Sequence, residues 1–446
     1  MTDKPAPTAT QPLLEDLCRD LSHRLHERRG LRAHKRRISL LGQETLEHWQ
    51  PQKEEKACQG NPLQVLDFFC GCGGMSLGFA ALSQFHPLFK LIGGCDIDPD
   101  AAASYERNFN VPAPLVDVRS LDESRSALAE FLDQLPGYKQ DKPLIVIGCP
   151  PCQGFTSHRK KNWHKKDGRN TLVGTLASVA AQLEPDCVVM ENVPEMLGRR
   201  YWNHFEEARD VLRSAGYVVR QSIYNAASFR VPQERFRAIV IAMKRDFLLP
   251  EPLISPEGYL TVRDAIGHLP KVSPGHPHPD DALHRSANHR PSTIETIRAV
   301  PKDGGSRPPG IGPECLDRVD GFYDVYGRLY WDRPSITVTH YARNPASGRY
   351  IHPDQDRGLT MREAALLQSF PEGFEFVGSF DSVFKQIGEA VPPRLACAVA
   401  ATVLVELLSS PPTPLERRNG VRSITEPVSS SFSSVIAGMK QSRRRK

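Results

Sequence analysis

The feature of this sequence that most restricts its fold is a short apolar run that passes into a glycine-rich turn and then into a helical pattern. Residues 64–69 are typical of a buried strand, residues 70–74 are Cys-Gly-Cys-Gly-Gly, and residues 75–82 predict a helix. A strand, a glycine turn and a helix in this order begin the nucleotide-binding unit of open α/β proteins. The turn alone is weak evidence, because Ser76 replaces the last glycine of the strict dinucleotide pattern, and a structural turn is an equal alternative.

Further short apolar runs alternate with helical stretches as far as residue 243. With the first strand, they predict a seven-stranded sheet, whose other strands are 91–95, 115–117, 144–148, 187–190, 217–224 and 237–243. Strands that alternate with helices in this way predict the α/β fold class.

Acidic residues follow two of these strands. Asp96 comes directly after the second strand, about 20 residues beyond the glycine turn, where it is placed to accept hydrogen bonds from both ribose hydroxyls of a nucleotide. Asp117 ends the third strand. Asp98 and Pro99 predict the start of a helix, with aspartate as its cap and proline in its first turn.

Pro150, Pro151, Cys152 and Gln153 directly follow the fourth predicted strand and Cys149. Open α/β sheets place their chemistry just beyond the carboxyl ends of strands, and the prolines stiffen the backbone that presents the thiol. Cys152 is therefore a candidate nucleophile. Two alternatives remain open on this stretch alone: a buried cysteine without chemistry, and a redox or zinc site formed with Cys149 as a C-x-x-C pair.

The fifth predicted strand ends in Glu191, whose carboxylate would face the same crevice as Cys152. Further along, the alternation of an extended segment puts Gln233, Arg235 and Arg237 on one face.

Six cations between residues 159 and 169 also predict a mobile lid over a polyanion, with a solvated loop as the alternative.

Composition limits the functional classes. The net charge of +5 is compatible with a nucleic-acid partner, and ten scattered cysteines indicate reduced thiols in a cytosolic protein. No run of about 18 apolar residues occurs and the N-terminus lacks a signal-peptide pattern, so we expect no membrane association. Histidines between residues 268 and 289 lack a ligand spacing, so we expect no metal.

Changes in composition divide the chain into five parts. Residues 1–60 predict a partly helical, basic extension whose cations lie on a solvated face, with contact to phosphates as the alternative. Residues 61–243 predict the catalytic and cofactor-binding domain, and the Pro- and Gly-rich residues 244–358 a separate, loop-rich domain suited to contact a partner. Apolar helices return to the catalytic domain at 359–408, and 409–446 predict a disordered basic tail.

Six sequence blocks in this order resemble those of the DNA (cytosine-5)-methyltransferases of bacterial restriction–modification systems. The blocks are residues 67–74, 150–153, 191–193, 233–237, 362–371 and 388–393. The resemblance implies a Rossmann-like S-adenosylmethionine-dependent methyltransferase fold with a smaller, loop-rich target-recognition domain at 244–358. It also weakens the redox and zinc alternatives, which explain neither Glu191 nor the Gln233-x-Arg235-x-Arg237 pattern.

The same resemblance implies a binding site for S-adenosylmethionine. Its lining would include Phe68, Gly71, Gly73 and Pro150. Asp96 would hold the ribose, Ile97 would pack on the adenine, and Asp117 would meet the adenine amino group. An aromatic face at Phe68 also suits a sulfonium, because such faces attract cations.

For catalysis, the resemblance implies that Cys152 adds to carbon 6 of a flipped cytosine and that Glu191 shares a proton with N3. Arg237 would hold the cytosine O2, and Arg235 would orient Glu191 or face the phosphates. The implied DNA contacts are Gln153, Thr156 and Gln233.

This chain departs from the family pattern at two positions, with Thr156 in place of serine and Glu389 in place of asparagine. One alternative function is tRNA cytosine-5 methylation, but Cys315 lacks the Cys-Phe-Thr context of those enzymes. A second is a catalytically silent regulatory homologue, which intact Cys152, Glu191 and Arg237 disfavour. We therefore expect a monomeric enzyme of the bacterial cytoplasm that acts on double-stranded DNA, with a restriction endonuclease as its functional partner.

Overall fold

In a computed structural model of the chain, six strands form one mixed sheet. The structure describes residues 30–52, 62–84, 88–151, 171–318 and 324–428. The strands are β1 Leu63–Phe68, β2 Phe89–Cys95, β3 Leu144–Gly148, β4 Cys187–Asn192, β5 Val218–Asn225 and β6 Phe236–Met243. Their order is β2-β1-β3-β4-β6-β5. The first four are parallel to one another, whereas β6 is antiparallel to both β4 and β5.

The predicted strand at 115–117 is wrong, so the described sheet has six strands rather than seven. Leu115 forms only an isolated bridge with Asp96, and Val116 donates one backbone hydrogen bond to Asp96. Pro112 and Pro114 lie beside this bridge and carry no backbone N–H for a ladder. The segment therefore extends β2 by a single pair of residues instead of adding a strand.

Helices cover both faces of the sheet. They are α1 Leu31–Glu47, α2 Gly74–Ser83, α3 Pro99–Phe109, α4 Val118–Glu123, α5 Arg125–Asp133, α6 Leu172–Leu183, α7 Trp202–Ser214, α8 Val262–Ile266, α9 Pro291–Arg298, α10 Met361–Leu367, α11 Phe380–Glu389, α12 Pro393–Leu408 and α13 Pro414–Asn419. Alternate strand residues such as Val65 and Val189 pack against α1, α2 and α12. Their neighbours, such as Leu66 and Val188, pack against α4 to α7.

Helix α1 packs its apolar face against the core, and Arg32, Arg36 and Arg37 are exposed as predicted, whereas Lys35 is buried. Its apolar residues, including Ile38 and Leu41, are buried against α2 and α12. Lys35 lies 2.5 Å from Glu406 of α12, and both side chains are almost fully buried. Gln43 donates hydrogen bonds to the carbonyls of Phe229 and Arg394. Lys35 is thus buried and paired with Glu406, a carboxylate that is distant in sequence.

The segment from 244 to 358 is built largely from loops around buried arginines. Arg328 is fully buried and donates to four backbone carbonyls and to Asp356. Arg357 forms a two-point ion pair with Glu363, at 2.7 and 2.8 Å, which joins the segment to α10. These hydrogen bonds pair backbone carbonyls of the loops. In a helix or a strand, backbone N–H groups would pair such carbonyls.

Residues 409–428 make defined contacts, which differs from the disorder predicted for 409–446. Thr413 and Glu416 form a capping box at the start of α13. Beyond it, Ile424 and Val428 pack against the core on the α4–α7 side. Residues 429–446 lie outside the described residues.

One helical stretch, Phe380–Leu408, is long and apolar enough to cross a bilayer. However, 83% of its most apolar window is buried inside the protein. The stretch consists of α11 and α12, and α12 packs against α1 and α2. It therefore forms part of the core.

Candidate active site

The candidate site lies at the carboxyl edge of the parallel strands. From β1 the chain moves outward to β2 on one side, whereas β3 lies on the other side. In open α/β sheets such a switch point opens a crevice in which ligands bind. The turn after β1, Asp96 after β2, Pro150 after β3 and Glu191 at the end of β4 all lie along this edge.

Glu191 and Arg237 form a buried pair at this edge. Strand β6 begins where β4 ends, with Asn192 opposite Ala238, so Arg237 lies beside Glu191. Arg237 Nε is 2.7 Å from Glu191 Oε1, and the side chains are 12% and 8% exposed. Burial raises the pKa of Glu191, while Arg237 and Arg235 oppose the shift. Glu191 and Arg237 thus lie together at this edge, and burial favours the protonated form of the carboxyl group.

Asn192 is a positioning residue that the sequence analysis gave no role. Its side-chain amide donates to the carbonyl of Pro150 at 3.1 Å, while its own oxygen accepts from Val193 N–H. This bond ties the end of β4 to the segment that leads to the predicted nucleophile. An asparagine directly after a candidate catalytic acid was the available signal.

Cys152, Gln153 and Thr156 lie outside the described residues, so their roles stay predictions. The described neighbour Cys149 packs against the core. Burial, with Glu191 and Asp67 nearby, raises the pKa of its thiol. A thiol that resists ionisation is a poor nucleophile, so Cys149 is unsuited to that task.

Gln233 and Arg235 support the framework instead of facing the crevice. Gln233 is fully buried, donates to Leu367 and Gln368, and accepts from Val338 N–H. This geometry differs from the DNA contact predicted for Gln233. Arg235 is 1% exposed. It donates to the carbonyls of Val338, Gly388 and Ala390. Arg235 thus influences Glu191 through its charge, while its hydrogen bonds to these carbonyls hold the loops around the site.

The glycine turn after β1 is fixed by Asp96. Gly71 N–H donates to Asp96 Oδ2 at 2.8 Å, and Asp96 Oδ1 accepts from the N–H groups of Ile97 and Asp98. Gly73 has a φ of 95° and precedes α2, and a Cβ there would lie 2.2 Å from Phe109. A Cβ on Gly71 would meet nothing within 4 Å. The turn therefore leaves open space above Gly71, next to Asp96.

Phe68 and Phe69 lie at the end of β1 and differ in exposure, and Phe68, the predicted cofactor contact, is the buried one of the two. Phe68 is fully buried, with its ring centroid 5.7 Å from that of Phe131 in the core. Phe69 follows the last residue of β1, has a φ of 55°, and is partly exposed. Phe69 also packs against the core on the α4–α7 side of the sheet.

Two apolar side chains are exposed at the neighbouring strand ends. Ile97 is 70% exposed and Leu115 is 58% exposed, on segments joined by the Asp96–Leu115 bridge. Exposed Ile97 suits the predicted contact with a flat base. Asp117 is partly exposed, but its carboxylate accepts from Arg119, which holds its pKa below the usual range. The predicted contact of Asp117 with an adenine would have to compete with Arg119.

No group of three or more His, Cys, Asp or Glu side chains is arranged to hold a metal ion in the part of the chain that the structure covers.

The fold and site define an α/β enzyme with a nucleotide-type turn at one end of its crevice and a buried carboxyl group at the other.

The chain belongs to the C-5 cytosine-specific DNA methylase family, whose model matches residues 63–404. It is 36% identical to the type II methyltransferase M1.HphI of Haemophilus parahaemolyticus, over 77% of this chain and 87% of that protein. It is 32% identical to the type II methylase M.HgiDII of Herpetosiphon aurantiacus, over 76% of this chain and 94% of that protein. The protein is thus a DNA (cytosine-5)-methyltransferase that uses S-adenosylmethionine.

A solved structure supports the fold. A DNA modification methyltransferase encoded within an Escherichia coli prophage superposes with a TM-score of 0.59 and is 23% identical. The match covers 77% of this chain and 99% of that chain.

The residues present fit the methyl donor. Open space lies above Gly71 next to Asp96, the neighbouring Ile97 is exposed, and Phe69 is partly exposed at the end of β1. An aromatic ring suits a sulfonium, an apolar side chain suits an adenine face, and a carboxylate suits ribose hydroxyls.

Proposed function

We propose that this enzyme methylates carbon 5 of one cytosine within a specific double-stranded DNA sequence, as the modification enzyme of a bacterial restriction–modification system. The observation that carries the proposal is the buried Glu191–Arg237 pair at the carboxyl edge, tied through Asn192 to the segment that leads to Cys152. This arrangement supports acid catalysis on a ring that receives a nucleophile next to it.

The chemistry requires a nucleophile because carbon 5 of cytosine is itself unreactive. Cys152 thiolate forms a bond from its sulfur to carbon 6, and the displaced electron pair moves through the ring toward N3 and O2. Carbon 5 then has enamine character and can form a bond to an electrophilic methyl group. S-adenosylmethionine, when bound, supplies that methyl group. Loss of the carbon 5 proton to a base then returns the electron pair and releases the sulfur.

Glu191 provides the proton that this electron shift needs. Its pKa is raised by burial, which favours the protonated form that can donate to N3. Arg237 limits the rise in the pKa of Glu191, and its ion pair fixes the direction of the carboxyl group. The guanidinium of Arg237 is also the proposed donor to the cytosine O2.

A stacked base cannot reach a buried carboxyl group, so the target cytosine has to leave the duplex. Unstacking costs a few kcal/mol, which contacts to the DNA must offset. We assign sequence recognition to residues 244–358, whose loops are fixed by buried Arg328 and Arg357 rather than by long strands. Loops on a rigid support are suited to read base edges.

The type II names of the two relatives support the restriction–modification context. We therefore propose a functional endonuclease partner that cuts the same sequence when it is unmethylated, and DNA in the bacterial cytoplasm as the site of action.

The direct test incubates the protein with plasmid DNA and S-adenosylmethionine and then maps 5-methylcytosine at base resolution. The proposal expects methylation at one short sequence and none elsewhere, and a Glu191→Gln variant that gives little product. Methylation of tRNA without methylation of DNA, or methylation at cytosines regardless of sequence, would contradict it.

A further inference from the structure

The carboxyl group of Asp67 is buried beside the candidate cofactor site and takes no part in the chemistry described above. Asp67 is 1% exposed, and its Oδ2 accepts a hydrogen bond from Ser76 Oγ of α2 at 2.6 Å. The same hydroxyl lies 2.9 Å from the Tyr105 hydroxyl of α3. Oδ1 of Asp67 is buried and has no hydrogen-bond partner among the described residues. One of the two carboxyl oxygens is thus unsatisfied, which is rare for a buried polar group.

The register of the sheet places Asp67 among the three strand ends that border this site. It lies opposite Gly94 of β2, two residues before Asp96, and opposite Ile147 of β3, three residues before Pro150. Along β1 it is followed by the residues that lead into the glycine turn. A charge that enters the crevice between these strand ends therefore acts on Asp67 through protein rather than through water.

Titratable groups from each neighbouring element act on this carboxyl group. They are Cys70 of the turn after β1, Cys95 and Asp96 at the end of β2, Cys149 after β3 and Tyr105 of α3. Burial raises the pKa of the three thiols and of the phenol, so these groups stay uncharged at neutral pH. The charged neighbour is the Asp96 carboxylate, whose charge has the same sign as that of ionised Asp67. This environment disfavours a negative charge on Asp67.

Asp67 therefore holds a proton at neutral pH. A buried carboxylate is unfavourable unless cations or several hydrogen bonds compensate its charge, and Asp67 has a single hydroxyl partner among the described residues. Burial raises the pKa of Asp67 from 3.8 to about 8, the bond from Ser76 opposes this rise, and Asp96 adds to it. A positive charge brought close to such a group lowers its pKa and favours loss of the proton.

The methyl donor brings a positive charge of this kind. S-adenosylmethionine carries a sulfonium, whereas its product S-adenosylhomocysteine has an uncharged thioether in the same place. The two ligands share the adenine, the ribose and the amino-acid end, so contacts at Ile97 and Asp96 do not distinguish them. Apart from one methyl group, the charge on sulfur is the difference that the protein can detect.

We propose that Asp67 makes the enzyme distinguish S-adenosylmethionine from S-adenosylhomocysteine, by releasing its proton to solvent when the sulfonium binds and regaining a proton when the uncharged product remains. Because Asp67 is buried, it acts through its electric field rather than by contact, and such fields are strong where the dielectric constant is low. The ionised carboxylate stabilises the bound donor, and this stabilisation is lost once the methyl group has left. Asp67 thus favours binding of the donor and release of the product.

The test is calorimetry of both ligands on the enzyme without DNA, between about pH 6.5 and 9, in two buffers of different ionisation enthalpy. Asp67→Asn has the same size and still accepts the bond from Ser76, but it cannot ionise. Ser76→Ala removes that bond and keeps the carboxyl group. Both ligands carry an amino group that titrates, so each result is compared with Asp67→Asn under the same conditions. Asp133→Asn, an exposed change on α5, is the control.

In the wild type, the ratio of donor affinity to product affinity should rise with pH, by about 3–10-fold relative to Asp67→Asn. The rise should level off above about pH 8, where Asp67 is already ionised in the free enzyme. Binding of the donor, but not of the product, should release a fraction of a proton that Asp67→Asn does not release. Ser76→Ala should keep the rise and move it to higher pH, because the Ser76 bond lowers the pKa of Asp67.

Equal pH dependence in the wild type and Asp67→Asn would overturn the inference. So would proton release of the same size with both ligands, which would show that the charge on sulfur is not detected. The inference rests on the use of S-adenosylmethionine and not on the proposed recognition of a DNA sequence. Since these measurements contain no DNA, base-resolution mapping of 5-methylcytosine tests the proposed function independently.

Discussion

Arg237 Nε lies 2.7 Å from Oε1 of Glu191, and both side chains are almost fully buried at the carboxyl edge of the sheet. Strands β4 and β6 are antiparallel, so the end of one meets the start of the other. Burial raises the pKa of Glu191 while Arg237 lowers it. The balance between these two effects sets how readily the carboxyl group holds the proton that cytosine addition requires.

Replacing Glu191 with glutamine should lower kcat by about 10²–10⁴-fold, because the group keeps its shape but loses the transferable proton. Binding of S-adenosylmethionine should stay unchanged, since Asp96 and the glycine turn are untouched. Glu234→Gln is the matched control. Glu234 is exposed and lies two residues before strand β6, so this variant should keep full activity. Steady-state kinetics and calorimetry measure both, and a Glu191→Gln enzyme with wild-type kcat would contradict the assigned role.

Replacing Arg237 with alanine should raise the pKa of Glu191 further, because an opposing positive charge is removed. If the protonated form is active, activity falls as pH rises through this pKa. The falling limb of the pH profile should therefore move to higher pH in the residual activity of the variant. Activity that instead rises with pH through this pKa would show that the ionised carboxylate is the working form.

The cofactor assignment is tested at Asp96. Asp96→Ala should weaken S-adenosylmethionine binding by about 1–3 kcal/mol, through lost hydrogen bonds to the ribose and a looser glycine turn at Gly71. Asp133→Ala, an exposed change on α5, is the control and should bind normally. Calorimetry on folded protein measures the difference, and unchanged affinity in Asp96→Ala would reject the ribose contact.

Much of the crevice was predictable because strand ends in an α/β sheet meet at one edge. Once β4 and β6 are recognised as neighbouring antiparallel strands, the end of β4 meets the start of β6. This pairing places Glu191 and Arg237 side by side. Phe68 was assigned to the cofactor site by the family resemblance, which does not show that its side chain is fully buried in the core. Gln233 and Arg235 were assigned to the crevice because strand alternation predicts which side chains share a face. Alternation does not predict which other segments cover that face.

Long-range partners were not predictable from local pattern. Lys35 lies in a basic run that is typical of a solvated helix face, yet it pairs with Glu406, far away in sequence. Residues 410–428, here called the strap, were predicted to be disordered because their composition is polar, but their backbone pairs with Gln221 and Leu197. Composition describes the side chains, whereas main-chain pairing with a sheet edge depends on where that edge lies.

The joint between residues 244–358 and the catalytic domain should depend on Glu363. Its carboxylate and Arg357 are both fully buried, so Glu363→Gln leaves a buried charge without its partner. The free energy of unfolding should fall by about 3–5 kcal/mol. The control is Glu375→Gln, whose exposed pair with Arg107 should contribute less than about 1 kcal/mol. Urea unfolding measures both, and equal effects would contradict a special role of the buried pair.

The same pair gives a pH dependence with a defined sign. Burial by itself would raise the pKa of Glu363, but Arg357 lowers it from 4.5 to about 2. A carboxylate with a lowered folded-state pKa stabilises the protein above its unfolded-state pKa. This contribution should be lost as pH falls from about 4.5 toward 2, and the loss should be absent in Glu363→Gln. Parallel stability curves for wild type and variant in this range would refute the link.

The strap should stabilise the fold, whereas the residues after it should not. Truncation after Gly420 removes the bonds at Gln221 and Leu197 and uncovers the edge of β5. The free energy of unfolding should drop by about 1–3 kcal/mol. Truncation after Val428 is the control and should melt like the wild type. Identical melting of both truncations and the full chain would show that the strap contacts contribute nothing.

The most direct test of the proposed mechanism is a covalent complex with DNA that contains 5-fluorocytosine. Fluorine blocks the loss of the carbon 5 proton, so the bond between sulfur and carbon 6 should persist through a denaturing gel when S-adenosylmethionine is present. Wild type and Cys149→Ser should form this adduct, and Cys152→Ser should form none, because a serine hydroxyl is far less ionised than a thiol. An adduct that persists in Cys152→Ser and disappears in Cys149→Ser would contradict the account.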